Sequence, residues 1–239
     1  MDGSNITVDP IKIIYVFRFQ DGLLKEFPIV LDRETLRFMT KDVPAPPVWA
    51  QLNYNKCSVC TLDEGLNKYC PIALNLVQIN EAFKESYSYE DVSISVITEE
   101  RRYSKDTSLQ EGLSALLGII MVTSRCPVME YLKPMVRFHL PFATLIETVF
   151  RMSSMYFMAQ FFQGLKGRKP FDMSLEGLKK IFTDVTQVNK DFSQRLADAA
   201  SKDAHINALV NLDCFATIIA SQTEESLKEI ESYFSAYFK

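Results

Sequence analysis

Four of the five cysteines carry the clearest chemical signal in the chain: the pair in Cys57-Ser-Val-Cys60, then Cys70 and Cys126. Two intervening residues let a tight turn aim both sulfurs of the pair at one point, which is why this spacing recurs in metal sites. Cys70 and Cys126 are each followed by a proline, Pro71 and Pro127. Proline suits the first position of a helix, so each of these thiolates is expected at a helix amino terminus. There, free N–H groups and the positive end of the dipole favour negative sulfur. Lys56, Lys68 and Arg125 lie close by in sequence and can offset the charge of four thiolates around a divalent ion. The pattern reads as one metal centre built from Cys57, Cys60, Cys70 and Cys126. Zinc matches the ligand type and number. A 4Fe-4S cluster is the alternative, because Cys-Pro is familiar among its ligands and Cys57-Ser-Val-Cys60 lacks the glycine common in zinc turns. The plainer reading makes Cys126 a small buried hydrophobe and the C-x-x-C pair accidental.

Other polar residues offer weaker signals. A redox C-x-x-C belongs at the start of a helix after a strand, and nothing before Cys57 has that form. Cys214, within Leu212-Asp-Cys-Phe-Ala216, reads as core. His139 falls in a corner between two predicted helices, where it can ligate, orient a thiolate or bond a helix end. His205 reads as surface. Glu130, Arg137, Glu147 and Arg151 interrupt apolar stretches and are expected to pair with one another; catalytic chemistry near Arg137, His139 and Glu130 is the sharper alternative. Asn189, Asn207, Asn211 and Asp213 sit on apolar helices and can cap, bridge or line a pocket. The chain contains no phosphate-binding glycine loop, no G-x-S-x-G elbow and no H-E-x-x-H. No enzymatic activity is assigned from these residues.

The elements that must position the cysteines are readable in outline. Residues 11 to 31 place β-branched and aromatic residues on both sides of Asp21-Gly22, a hairpin signal. Val92 to Thr98 alternates apolar and polar residues and predicts another strand. Pro71 opens a helix whose stripe is Ile72, Leu76, Ile79 and Phe83. Ser108-Leu-Gln-Glu111 has the capping-box pattern ahead of an apolar run. After Val92 to Thr98 the chain reads as all helix, with starts at Pro127 and Pro141 and an exposed basic turn at Gly164 to Pro170. Leu178, Phe182, Val185, Phe192 and Leu196 define a long amphipathic helix. Two shorter helices, Ala204 to Ala220 and Glu224 to Phe238, complete the expectation. The fold class is α+β: a small amino-terminal antiparallel sheet (residues 1–105, with the cysteine loop) packed on a helical body (residues 106–239) as one structural unit.

A chain of 239 residues can bury a substantial core without metal. A net charge of -4 gives no basic footprint for nucleic acid. The opening Met-Asp-Gly-Ser-Asn-Ile-Thr lacks the features of a secretory signal, so a cytoplasmic location and reduced thiols are expected. The apolar windows Leu113 to Val122 and Phe142 to Phe162 read as buried helices rather than membrane spans: the first is short, and the second carries Glu147, Arg151 and Gln160. The expected partner is a protein or a small molecule.

Asn55-Lys-Cys-Ser-Val-Cys60, Tyr69-Cys-Pro-Ile-Ala-Leu-Asn-Leu76 and the run from Ser124 to Ala143 resemble an uncharacterised bacterial protein family of unknown function. The similarity extends over most of the chain, including the amino-terminal hairpin and the Asn207 to Phe215 segment. The resemblance implies a bacterial source and supports treating the Cys-Pro elements as a unit, but it supplies no activity.

Overall fold

The structure, a computed structural model, describes residues 9–39, 43–168, 171–197, 199 and 202–239. The opening segment, Lys169 and Pro170 lie outside the described residues. Four antiparallel strands form one sheet in the order β2-β1-β3-β4: β1 (Ile11–Phe19), β2 (Leu24–Leu31), β3 (Asp91–Ile97) and β4 (Arg102–Ser108). Alternation decides which face is covered. Ile11, Ile13, Tyr15 and Phe17 of β1 and Val92, Ile94 and Val96 of β3 are buried, while Lys12, Arg18 and Asp91 face outward. The fold is α+β, as expected. β4 was not foreseen, because Arg-Tyr-Ser-Lys-Asp-Thr-Ser has no apolar alternation; it is an edge strand recruited by pairing with β3, Val96 opposite Tyr103.

The hairpin turn spans Gln20 to Gly22, and Phe19 N–H donates to Leu23 O at 2.9 Å. Gly22 alone takes positive φ, at 86°. The two-residue turn that Asp-Gly suggests, with both residues at positive φ, gives way to a longer turn that needs only the glycine.

Six α-helices follow the sheet or interrupt it: α1 (Pro71–Phe83), α2 (Leu109–Thr123), α3 (Lys133–Arg137), α4 (Leu145–Leu165), α5 (Glu176–Ala197) and α6 (Ala204–Lys228). α2 lies directly on the sheet. A methyl group placed on Gly112 would fall 1.9 Å from Ile94 Cδ1 and 2.9 Å from Phe17 Cε1. α5 and α6 pack along each other, and α6 also packs on α2. The expected break near residue 220 is absent: α6 runs through to Lys228, and a 3-10 helix, Glu231–Phe238, ends the chain. Pro127 likewise opens a turn into a 3-10 helix, Met129–Leu132, and Pro141 precedes α4 by a short connection. Among the described residues α6 alone is long and apolar enough to cross a membrane; its Ala208, Leu209, Ala216 and Ile219 are buried.

Helix starts also depart from expectation. Ser108 is the N-cap of α2 but its side chain makes no cap hydrogen bond, and Glu111 instead receives Lys105 and Thr107. The complete capping box stands at Thr144-Leu-Ile-Glu147. Thr144 Oγ1 accepts from Glu147 N–H, and Glu147 Oε2 accepts from Thr144 N–H at 2.7 Å. Thr144→Ala is therefore expected to lower unfolding free energy by about 1 kcal/mol in urea titrations, while Ser108→Ala stays within about 0.5 kcal/mol of the parent.

Candidate functional site

The loop carrying the first two cysteines is closed at its base. Leu52 N–H donates to Lys68 O at 3.0 Å, Cys70 N–H donates to Ala50 O at 2.9 Å, and Gln51 pairs with Tyr69. Within the loop, Cys60 N–H returns to Cys57 O at 3.0 Å, so the C-x-x-C segment is the tight turn its spacing suggests. Asp63 ties the outer end by accepting from the N–H groups of Gly65 and Leu66.

Cys70 is the N-cap of α1, with Pro71 beginning the helix. Its sulfur makes no cap hydrogen bond, although the nearby N–H groups of Ala73 and Ile72 favour its thiolate form. Cys126 follows the end of α2, where Arg125 takes φ of 77° to reverse the chain. The nearby N–H groups of Met129 and Val128 favour its thiolate form. The helix expected after Pro127 is thus a turn into the 3-10 helix Met129–Leu132.

The four thiols lie in one region of the fold. Cys57 is within electrostatic reach of Cys70 and Cys126, Cys70 of Cys60, and Cys126 of both Cys70 and Cys60. They do not stand at ligating distances: among the described residues no three His, Cys, Asp or Glu side chains are placed to hold a metal ion. Binding one requires the sulfurs to draw together. Burial pushes the Cys57 thiol up to about 12, pushes Cys126 up to about 11 and raises Cys70. Neutral thiols in this setting are poor nucleophiles, which argues against a redox role for the C-x-x-C pair.

Two residues at the carboxyl-terminal end of α5 hold the loop in place, and neither stood out in the sequence. Asp191 accepts from Ser58 N–H at 2.7 Å and from Ser58 Oγ at 2.9 Å, inside the C-x-x-C turn. Arg195, only 1% exposed, donates to four carbonyls of the loop's entry: Trp49 (2.7 Å), Gln51 (2.6 Å), Leu52 (3.4 Å) and Asn55 (3.2 Å). Its Nε–H has no partner, and no carboxylate among the described residues forms an ion pair with it. The groups whose charge it does share are Cys57 and Cys70. The available signal was an arginine on an apolar stripe, three residues after Phe192 and next to Leu196. Of the cations expected to serve the site, Lys56 pairs with Glu64 at 3.0 Å and Lys68 lies over the Tyr69 ring.

The chain matches the model for a domain of unknown function, DUF6901, over residues 13–235. It belongs to that family. No curated protein and no solved structure matches it. For this DUF6901 chain the other candidate residues are therefore judged on geometry alone.

His139 pairs with Tyr15 OH at 2.6 Å, Tyr15 itself being fully buried, and its charged neighbour is Arg151 rather than a cysteine. The expected network among Glu130, Arg137, Glu147 and Arg151 does not form. Glu130 pairs with Lys133, Arg137 with Glu100, Glu147 caps α4, and Arg151 donates to Met135 O and Phe138 O. A cavity of about 390 Å³ adjoins Arg137 and His139 without any cysteine in its lining. Cys214 is exposed rather than core, because it lies on the outer side of α6. His205 is 1% exposed rather than superficial, wedged against Phe83 with Nε2 3.3 Å from Ile79 O.

Burial lowers His205 to about 4 and His139 to about 3. Both are neutral in the folded chain at neutral pH, while the unfolded chain takes up their protons near pH 6.5. The unfolded state therefore binds more protons between these values, and the histidine contribution to stability is full above about pH 6.5 and falls as pH drops toward 4. His205→Gln is expected to flatten this part of the stability profile, by on the order of 3 kcal/mol between pH 7 and pH 4 in urea titrations. An unchanged slope would place His205 in solvent.

Proposed function

We propose that Cys57, Cys60, Cys70 and Cys126 bind one zinc ion as a closed structural centre, in a cytoplasmic protein that serves as a binding or regulatory module. The observation that carries this reading is Arg195. A buried guanidinium with no carboxylate partner costs several kcal/mol unless negative charge lies near it. The four carbonyls satisfy its other N–H groups but bring no net charge. Thiolates around a divalent ion bring that charge, and the unpartnered Nε–H is a donor of the kind that supports metal-bound sulfur.

The backbone supports the same reading. N–H groups of Ile72, Ala73, Val128 and Met129 lie near two of the four sulfurs and favour their thiolate forms. Zinc would supply the attraction that draws the sulfurs together and displaces their protons. Bound there, it would link the loop between Leu52 and Lys68 to the start of α1 and to the connection after α2. A closed set of four thiolates leaves no open position for substrate, which is why the role is structural.

Metal analysis of freshly purified protein is expected to find one zinc per chain and no visible colour. Brown protein with iron and sulfide would replace zinc with the 4Fe-4S reading, and neither metal would overturn the site. Arg195→Met is expected to weaken zinc binding by roughly 10- to 100-fold in chelator competition. If Arg195 serves only the carbonyls, the same change lowers the melting temperature and leaves zinc affinity unaltered.

A further inference from the structure

The polarity of α4 reverses toward its carboxyl-terminal end. The face turned inward there holds Ser153, Tyr156 and Gln160, all buried. The outward face holds Met158, Phe161, Phe162 and Leu165, each more than half exposed. Spacings of three and four residues put these four on one stripe of the helix. An ordinary surface helix has the opposite arrangement, with its apolar stripe toward the core. Phe171, itself largely exposed, widens the stripe by stacking on Phe157 with ring centroids 6.1 Å apart. With about 200 Å² for each side chain of this size, the five leave on the order of 500 Å² of apolar surface in water, at the upper end of what a monomer shows in one patch.

Charge selects the occupant. Between Glu147 and Asp172 the sequence has no acidic residue and four basic ones, Arg151, Lys166, Arg168 and Lys169, in a chain whose net charge is -4. Arg151 is turned onto the carbonyls of Met135 and Phe138, whereas Lys166 and Arg168 are exposed at the end of the stripe. Neither of these two forms an ion pair among the described residues. The carboxylates that follow are engaged: Asp172 accepts from Tyr156 OH at 2.6 Å and from Ser174 Oγ at 2.6 Å, and Glu176 pairs with Lys179 at 2.8 Å. Every residue from Gly164 to Arg168 is exposed, so this end of the helix stands clear of the body.

A second copy of the chain meets the stripe poorly. In a two-fold helix pair centred on it, Lys166 and Arg168 would lie beside Met155, Tyr156 and Phe157 of the copy, where no carboxylate receives them. An anionic lipid surface meets both needs, because its acyl boundary takes the rings and its headgroups take the cations. We propose that the outward face of α4 from Met158 to Leu165 docks the protein on the surface of an anionic bilayer. Phe161, Phe162 and Leu165 enter the boundary between headgroups and acyl chains, and Lys166 and Arg168 lie among the headgroups. The stripe is about 10 Å long and one-sided, so the contact is peripheral and the inward face of α4 stays on the protein.

The full chain should co-sediment with phosphatidylcholine vesicles containing about 30% phosphatidylserine, and at least roughly tenfold more weakly with phosphatidylcholine alone. Lys166→Gln combined with Arg168→Gln should remove most of that difference, since each cation near such a surface is worth about fivefold. Phe161→Gln combined with Phe162→Gln should weaken binding to both kinds of vesicle by more than about tenfold at an unchanged melting temperature. If that pair does not fold, Leu165→Gln, at the most exposed position of the stripe, is read in the same way. No binding to the anionic vesicles, equal binding to both kinds, or undiminished binding by a folded stripe variant would each overturn the proposal. So would a parent that sediments as a dimer without lipid, becomes a monomer with the two phenylalanine changes and ignores vesicles; that result assigns the stripe to a second copy.

Discussion

The arrangement around the cysteines depends on one buried cation. Arg195 reaches from α5 into the entry of the cysteine loop and gathers four of its backbone carbonyls. An irregular segment can be buried only if its polar backbone is satisfied, and here a single planar fork of donors meets most of that need. Asp191, one turn earlier, does the complementary work by accepting from the C-x-x-C turn. The two charges thus hold opposite polarities of the same loop, and the loop's register against α5 follows from both.

α5 also has two unlike sides. At 3.6 residues per turn, Asn189 points to nearly the opposite side of the helix from Asp191 and Arg195. One side holds the cysteine loop; the other, with Phe182 and Val185, borders a largely apolar depression facing α2 and α6. The intervening face, with Val188 and Phe192, is core. The opposite face of the helix, with Glu176, Lys180, Thr183 and Lys190, is exposed.

The regular parts of the fold were legible where periodicity was strong. The β1 and β3 alternations, the stripe of α1 and the stripe of α5 all appear where the apolar spacing puts them. β4 was not legible, because an edge strand needs no apolar face. The α2 capping box was misread because Lys105 and Thr107 compete for Glu111, while the true box at Thr144 was hidden inside a stretch read as the continuation of a helix from Pro141. At the cysteines, spacing identified the turn, and Cys70-Pro71 identified the start of α1. Arg195 escaped notice because a lone arginine near a helix end usually extends to solvent. Only the tertiary fold shows that its tip lies under the loop instead.

The distance along the chain between the loop and its clamp has a consequence for biosynthesis. Trp49 and Arg195 are 146 residues apart, and Ser58 and Asp191 are 133 apart. At ribosomal rates of about 5–20 residues per second, the cysteine loop emerges on the order of ten seconds before α5 does. During that interval its carbonyls and thiols stand in solvent, and the early sheet can form only its local pairings. The cysteine region is therefore among the last parts of the molecule to acquire its final form, and a nascent chain stalled short of residue 191 has the cysteines but not the clamp that orders them.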